Sequence, residues 1–170
     1  SITSHSIALE WTGKEITSTS DLTLKNNTTE QIDTIYFSLN PGLMVDTVLV
    51  NGAPVPFNRD LHILFMNKGI SLAPGQEVKV RMKYHGAILQ AAAHLEVDQE
   101  RYEDSNDFIM FSLAKRYAFL EDDYVLLTND VLWYPDTEVG YNRMAAVKQR
   151  QSFIDFELIV KVPEGKTAIS

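Results

Sequence analysis

The 170-residue chain has no cysteine, which removes disulfides and thiolate chemistry from what it can do. It has no apolar run near the ~18 residues that a membrane-spanning helix needs, and its first residues form no basic-then-apolar leader. Basic residues are few: 15 Lys and Arg against 23 Asp and Glu, for a net charge of −8. Without a Lys/Arg stripe, neither nucleic acid nor an anionic membrane surface is expected as a partner, and no direct membrane insertion. Catalytic signatures are absent too. His-Glu-x-x-His, which sets two imidazoles on one helix face, does not occur, nor does the Gly-x-Ser-x-Gly nucleophile elbow or a phosphate-cradling glycine loop. The four histidines, His5, His62, His85 and His94, fall at no metal-ligand spacing, and His94 and Glu96 would point to different sides of a helix. No catalytic and no metal-binding residue is therefore expected in this chain, and no cofactor.

What the chain does have is 45% hydrophobic residues, enough for the core of one domain spanning 1–170, arranged with a period of two. Ile7, Leu9 and Trp11 alternate with Ser6, Ala8 and Glu10. Ile16, Leu22 and Leu24 oppose Thr17, Thr19, Asp21, Thr23 and Lys25. Together residues 5–25 read as an opening hairpin. Ile32–Leu39 is a third strand. Leu43–Val50 is nearly all apolar and reads as buried on both faces. Asn51-Gly52 is the strongest hairpin-turn dipeptide in the chain. Pro54 and Pro56 confine residues 53–57 to an edge or a short return. Leu61, Ile63 and Phe65 give a further strand, in which His62 reads as an exposed or edge histidine. Val78, Val80, Met82 and Tyr84 alternate with Glu77, Lys79, Arg81 and Lys83 in a very regular one. Many short one-faced strands at close spacing predict an all-β antiparallel sandwich.

The texture changes at Ala87. Residues 87–107 have few β-branched residues and read as one short helix or a long loop. Strands are expected again at 108–113, 117–120 and 125–127, with a long connection at 136–151. The acidic pairs at Glu103-Asp104 and Glu121-Asp122-Asp123 read as solvated loops; a hydrolase built on the second has no nucleophile or oxyanion donor to go with it. Asn26-Asn27-Thr28-Thr29 holds two overlapping glycosylation sequons. The last strand is the cleanest: Ile154, Phe156, Leu158, Val160 and Val162 share one face, and Pro163-Glu164-Gly165 stops it.

Four segments carry a family resemblance. IDTIYFSLNPGLMVDTVLVNGAPVPF holds a strand, a small turn and a V-x-V-N-G-like segment. Leu72-Ala73-Pro74-Gly75-Gln76 leads into the strand ending at Gly86, like L-x-x-G … V-x-V-x-Y-x-G. Trp133-Tyr134-Pro135-Asp136 stands where an F-P-C-x-D knot is found, and residues 153–170 look like F-x-(hydrophobic)-x-(hydrophobic)-x-V-P-x-G-x-x-A-(hydrophobic)-S. In this order the chain resembles the N-terminal domain of the aminopeptidase N family of zinc metallopeptidases. Its texture is most similar to the divergent bacterial variant fused to transporter-like membrane segments, typical of Bacteroidetes. It departs from the family in lacking the knot's cysteine, and Asp123-Tyr124-Val125-Leu126 holds no Gln or Glu for a substrate amine.

The resemblance implies a saddle-like β-sandwich cut from a longer chain. It implies a partner, the downstream catalytic domain, which would carry the zinc and the peptide substrate, with Leu132, Trp133, Tyr134 and Pro135 as the packing surface between the two. It also implies an extracytoplasmic domain of a bacterial membrane protein. The competing class is a stand-alone extracytoplasmic module that binds a glycan or a protein through the loops at 87–107 and 136–151.

Overall fold

Period-two alternation folds more than half of the first 86 residues into strands. This computed structural model describes residues 1–89, 118–128, 131–137 and 154–169. The strands are β1 (Ile2–Trp11), β2 (Ile16–Lys25), β3 (Ile35–Ser38), β4 (Leu43–Val50), β5 (Ala53–Pro54), β6 (Asn58–Asp60), β7 (Ile63–Met66), β8 (Glu77–Gly86), β9 (Ala118–Leu120), β10 (Val125–Leu127) and β11 (Asp155–Lys161). They form a large sheet in the order β11-β1-β2-β8-β4-β5, a three-stranded sheet β3-β7-β6 and a β9-β10 hairpin. The protein is thus an all-β sandwich of antiparallel strands. One pair departs from that order: β11 lies parallel to β1, with Ser4 opposite Asp155 and Glu10 opposite Lys161.

The core lies between the two larger sheets. From the large sheet come Ile7, Leu22, Val80 and Met82; from the small one come Phe37, Leu64 and Met66; all are essentially buried. Each such side chain contributes about 1.5–3 kcal/mol on leaving water. Several polar groups in this core pair with one another. The Ser20 and Tyr84 hydroxyls are 3.2 Å apart, and Ser18 Oγ donates to the Ala8 carbonyl. Burial pushes the Tyr84 phenol up to about 12.

The strand expectations hold most closely for β2, β4 and β8, and Asn51 (φ 51°) and Gly52 (φ 84°) make the expected turn between β4 and β5. Three details differ. β4 is not buried on both faces: it alternates, and Met44 is exposed, because only the small sheet lies over it. In β7 the inward residues are Leu64 and Met66, not Ile63 and Phe65. The β6–β7 turn takes Leu61 (φ 48°, exposed) and His62 out of the strand, and a one-residue offset exchanges the two faces. Ile32 makes only an isolated bridge to Leu72, so β3 begins at Ile35. Of the expected helix or loop at 87–107, all beyond Leu89 lies outside the described residues, as do the strand expected at 108–113, the pair Glu103-Asp104, and most of 136–151.

Two buried asparagines lock the turns. Asn26 Nδ2 donates to the Glu30 and Leu72 carbonyls, and its Oδ1 accepts from Thr28 N and Oγ1. Asn40 Nδ2 donates to the Leu89 and Val131 carbonyls, and its Oδ1 accepts from Gly42 N and Leu89 N. With its amide fully engaged, Asn26 offers no glycosylation site, which leaves only Asn27 of the two sequons on the surface. Beside Asn40, the Arg59 guanidinium donates to the carbonyls of Leu39, Asn40, Leu43 and Leu61. Burial lowers its pKa from the ordinary value.

Candidate functional site

Residues 131–137 form a short knot pinned at both ends to the chain around β3. Asn40 N donates to Leu132 O (2.8 Å), and Ser38 and Asp136 exchange backbone bonds of 2.7 and 3.1 Å. To make this turn, Leu132 adopts φ 54°, a left-handed conformation that costs a bulky residue about 1–2 kcal/mol. Trp133 and Pro135 are buried within the fold itself, while Leu132 and Tyr134 stay half-buried.

The knot's rings meet the two strands at one edge of the large sheet. Tyr134 stands edge-on to Trp133 (centroids 4.7 Å apart) and to His5 of β1 (5.4 Å), and His5 stands edge-on to Phe156 of β11 (5.9 Å). Three segments far apart in sequence are thus joined by one aromatic cluster. His5 is only 1% exposed. Its Nε2 and the Trp133 Nε1 are buried without hydrogen-bond partners among the described residues. Desolvation drives the His5 pKa down to about 4, against the weaker opposing charges of Asp136 and Asp21. The sequence held the signal for this: His5 continues the Ile7, Leu9, Trp11 alternation inward by one step. The cluster offers no nucleophile and no acid–base pair; what it does is hold surfaces together.

The opposite face of the same sheet is polar and hollow. A trough of about 810 Å³ crosses β11, β1, β2 and β8 and ends at the Asn51-Gly52 turn. Along one row of the register Asp155, Ser4, Thr23 and Lys79 follow one another; in the next stand Glu157, Ser6, Asp21 and Arg81. Arg81 grips Asp21 with two bonds of 2.6 and 3.0 Å, and Ser6 Oγ donates to Glu157 at 2.7 Å. Lys79 Nζ and the Asp155 carboxylate make no such bond among the described residues.

The other titratable groups lie outside the cluster and the trough. Glu121, Asp122 and Asp123 lie in a surface turn, where Lys166 Nζ donates to the Asp123 carbonyl at 2.7 Å. His85 Nδ1 lies 3.0 Å from Asp46. His62 is half-buried in its turn rather than exposed, and desolvation lowers its pKa. His94 and Glu96 fall outside the described residues. Among the described residues no three His, Asp or Glu side chains come together to hold a metal ion, and no helix is long and apolar enough to cross a membrane.

No family model matches the chain, and no curated protein does. Solved structures do. The chain is similar to an M1 zinc metallopeptidase from Deinococcus radiodurans at 18% identity, over 54% of this chain and 21% of that one, with a TM-score of 0.47. It is similar to native yeast LTA4 hydrolase at 13% identity, over 54% of this chain and 15% of that one, with a TM-score of 0.45. It therefore spans only a minor part of the length of either.

Proposed function

We propose that this chain is the non-catalytic N-terminal β-sandwich domain of a zinc aminopeptidase-like protein, and that it packs on a downstream catalytic domain and walls its substrate cleft. On this reading zinc and the catalytic groups belong to the downstream domain, and Leu132, Trp133, Tyr134 and Pro135 form or support the packing surface. In the transporter-fused variant the parent is a bacterial membrane protein and this domain is extracytoplasmic.

One observation carries the reading. The inner face of β11 is the least covered part of the core: Phe156 is 50% exposed and Leu158 and Val160 are only half-buried, while Ile7, beside Leu158 in the register, is fully buried. Tyr134, itself half-buried, lies against Phe156, their ring centroids 6.3 Å apart. An apolar strip of this kind next to the knot suits a packed neighbour. The segments that carry the sequence resemblance also converge: β4 and β8 are neighbours in the sheet, and the knot touches β11.

The test is to read the gene past the codon for Ser170. His-Glu-x-x-His followed by a more distant Glu is expected. A stop codon there, or continued coding sequence without those ligands, sinks the zinc-peptidase reading. As a second check, the isolated chain is expected to hold no zinc after dialysis against a weak chelator; near-equimolar zinc contradicts the assignment of the metal to another domain.

A further inference from the structure

We propose that the trough on the polar face of the large sheet binds a short extended peptide with free termini. This goes beyond the reading above and needs no downstream domain: the charged and hydroxyl residues of the trough alternate along their strands with His5 and Phe156 of the aromatic cluster, and so project from the other face of the sheet.

The argument is the separation of charge. Asp155 and Glu157 stand at the β11 side, and Lys79 stands three strands away beside the Asn51-Gly52 turn. Three strand spacings are about 14 Å. An extended chain advances about 3.3–3.6 Å per residue, so a peptide of about four residues carries its ammonium and its carboxylate that far apart. Arg81 is already taken up by Asp21, and Glu157 by Ser6. The β11 end of the trough thus keeps its carboxylate charge for the ammonium, with Asp155 unbonded and Glu157 held only by the neutral Ser6 hydroxyl, and the far end keeps Lys79 for the carboxylate. Between them the Ser4 and Thr23 hydroxyls can meet peptide groups, and beyond Lys79 Leu49 of β4 gives the wall an apolar contact. A purely anionic or purely cationic ligand would satisfy one end and be repelled by the other.

The probe is tetra-alanine, titrated into the isotope-labelled 170-residue chain and followed by amide chemical shifts. Saturable shifts are expected around Ser4, Thr23 and Lys79. N-acetyl-tetra-alanine-amide is expected to bind more weakly, by up to about five-fold for each of the two charges removed, since an exposed ion pair is worth up to about that factor. Lys79→Glu and Asp155→Lys should each weaken binding of the free peptide, while Lys83→Glu, on the same face beyond the trough, should not. The well-dispersed spectrum of each variant reports that it is folded. No saturable shift at about 10 mM peptide, where any tighter site is more than half filled, overturns the proposal. So does equal binding of the blocked peptide, or indifference to Lys79→Glu in a folded variant.

Discussion

Gly42 and Gly86 meet back to back: a Cβ added to Gly86 would lie 2.5 Å from the Gly42 carbonyl oxygen. Gly86 also has φ 135°, where a side chain is strained whatever the space. This approach lets the turn after β3 close over the end of β8. Gly86→Ala is expected to lower stability by more than about 2 kcal/mol, or a melting temperature lower by roughly 5 °C or more. Gly52→Ala, where a Cβ meets nothing within 4 Å, should cost only about 1 kcal/mol for its positive φ. Thermal unfolding of the two variants side by side checks this; equal losses would mean that the contact with Gly42 is irrelevant.

Trp133 is 6% exposed in a core shared with Phe37 and Leu39. Trp133→Ala should therefore destabilise the isolated chain by about 3–5 kcal/mol. Urea unfolding measures it. A midpoint that barely moves would mean that the ring's partners lie outside this domain.

Stability should fall as the medium becomes acid, and His5 should be a large part of the reason. Folded, it titrates near pH 4; unfolded, near 6.5. Between those values the unfolded chain binds more protons, so stability present above the upper value is lost as pH falls toward the lower one. The full loss from this group is about 3 kcal/mol. His5→Phe, which keeps a ring beside Tyr134 and Phe156, should remove that part of the pH dependence. Urea midpoints at about pH 7 and about pH 4.5, compared between the two proteins, give the answer; parallel curves would exclude His5.

Asn40→Ala leaves two backbone N–H groups and two carbonyls without their partner. It should cost about 2–4 kcal/mol, each stranded buried group counting for about 1 kcal/mol or more. Asn27→Ala, on the exposed neighbour of the equivalent Asn26, should change stability by less than about 0.5 kcal/mol. Differential scanning calorimetry distinguishes the two, and a mild Asn40→Ala would show that water replaces the amide.

The strands were legible wherever one face of the sheet meets water. β2 and β8 alternate because their outer faces carry Thr, Asp, Lys and Arg, and the Asn51-Gly52 turn declares itself by residue type. β7 was legible as a strand but not in its facing, because Ile63, Leu64, Phe65 and Met66 are all apolar and only the turn at Leu61 decides which pair turns inward. β11 was legible as a strand too, but not as an edge or as the parallel partner of β1, since nothing local to a strand names its neighbour. Of the site, the Trp133-Tyr134 knot was visible as an aromatic cluster. The part played by His5 lay in its pairing with a strand 151 positions away, and the trough arises only from the cross-strand register.

The parallel pairing of β1 with β11 also has a consequence in time. Of β1's two edges, one pairs with β2, which is made directly after it. The other waits for residues 155–161. At about 5–20 residues per second, the intervening synthesis lasts on the order of ten seconds. Until those residues are made, the edge of β1 beside Ile7 and Leu9 lacks its native partner, and an unpaired strand edge is a template for mispairing with another chain.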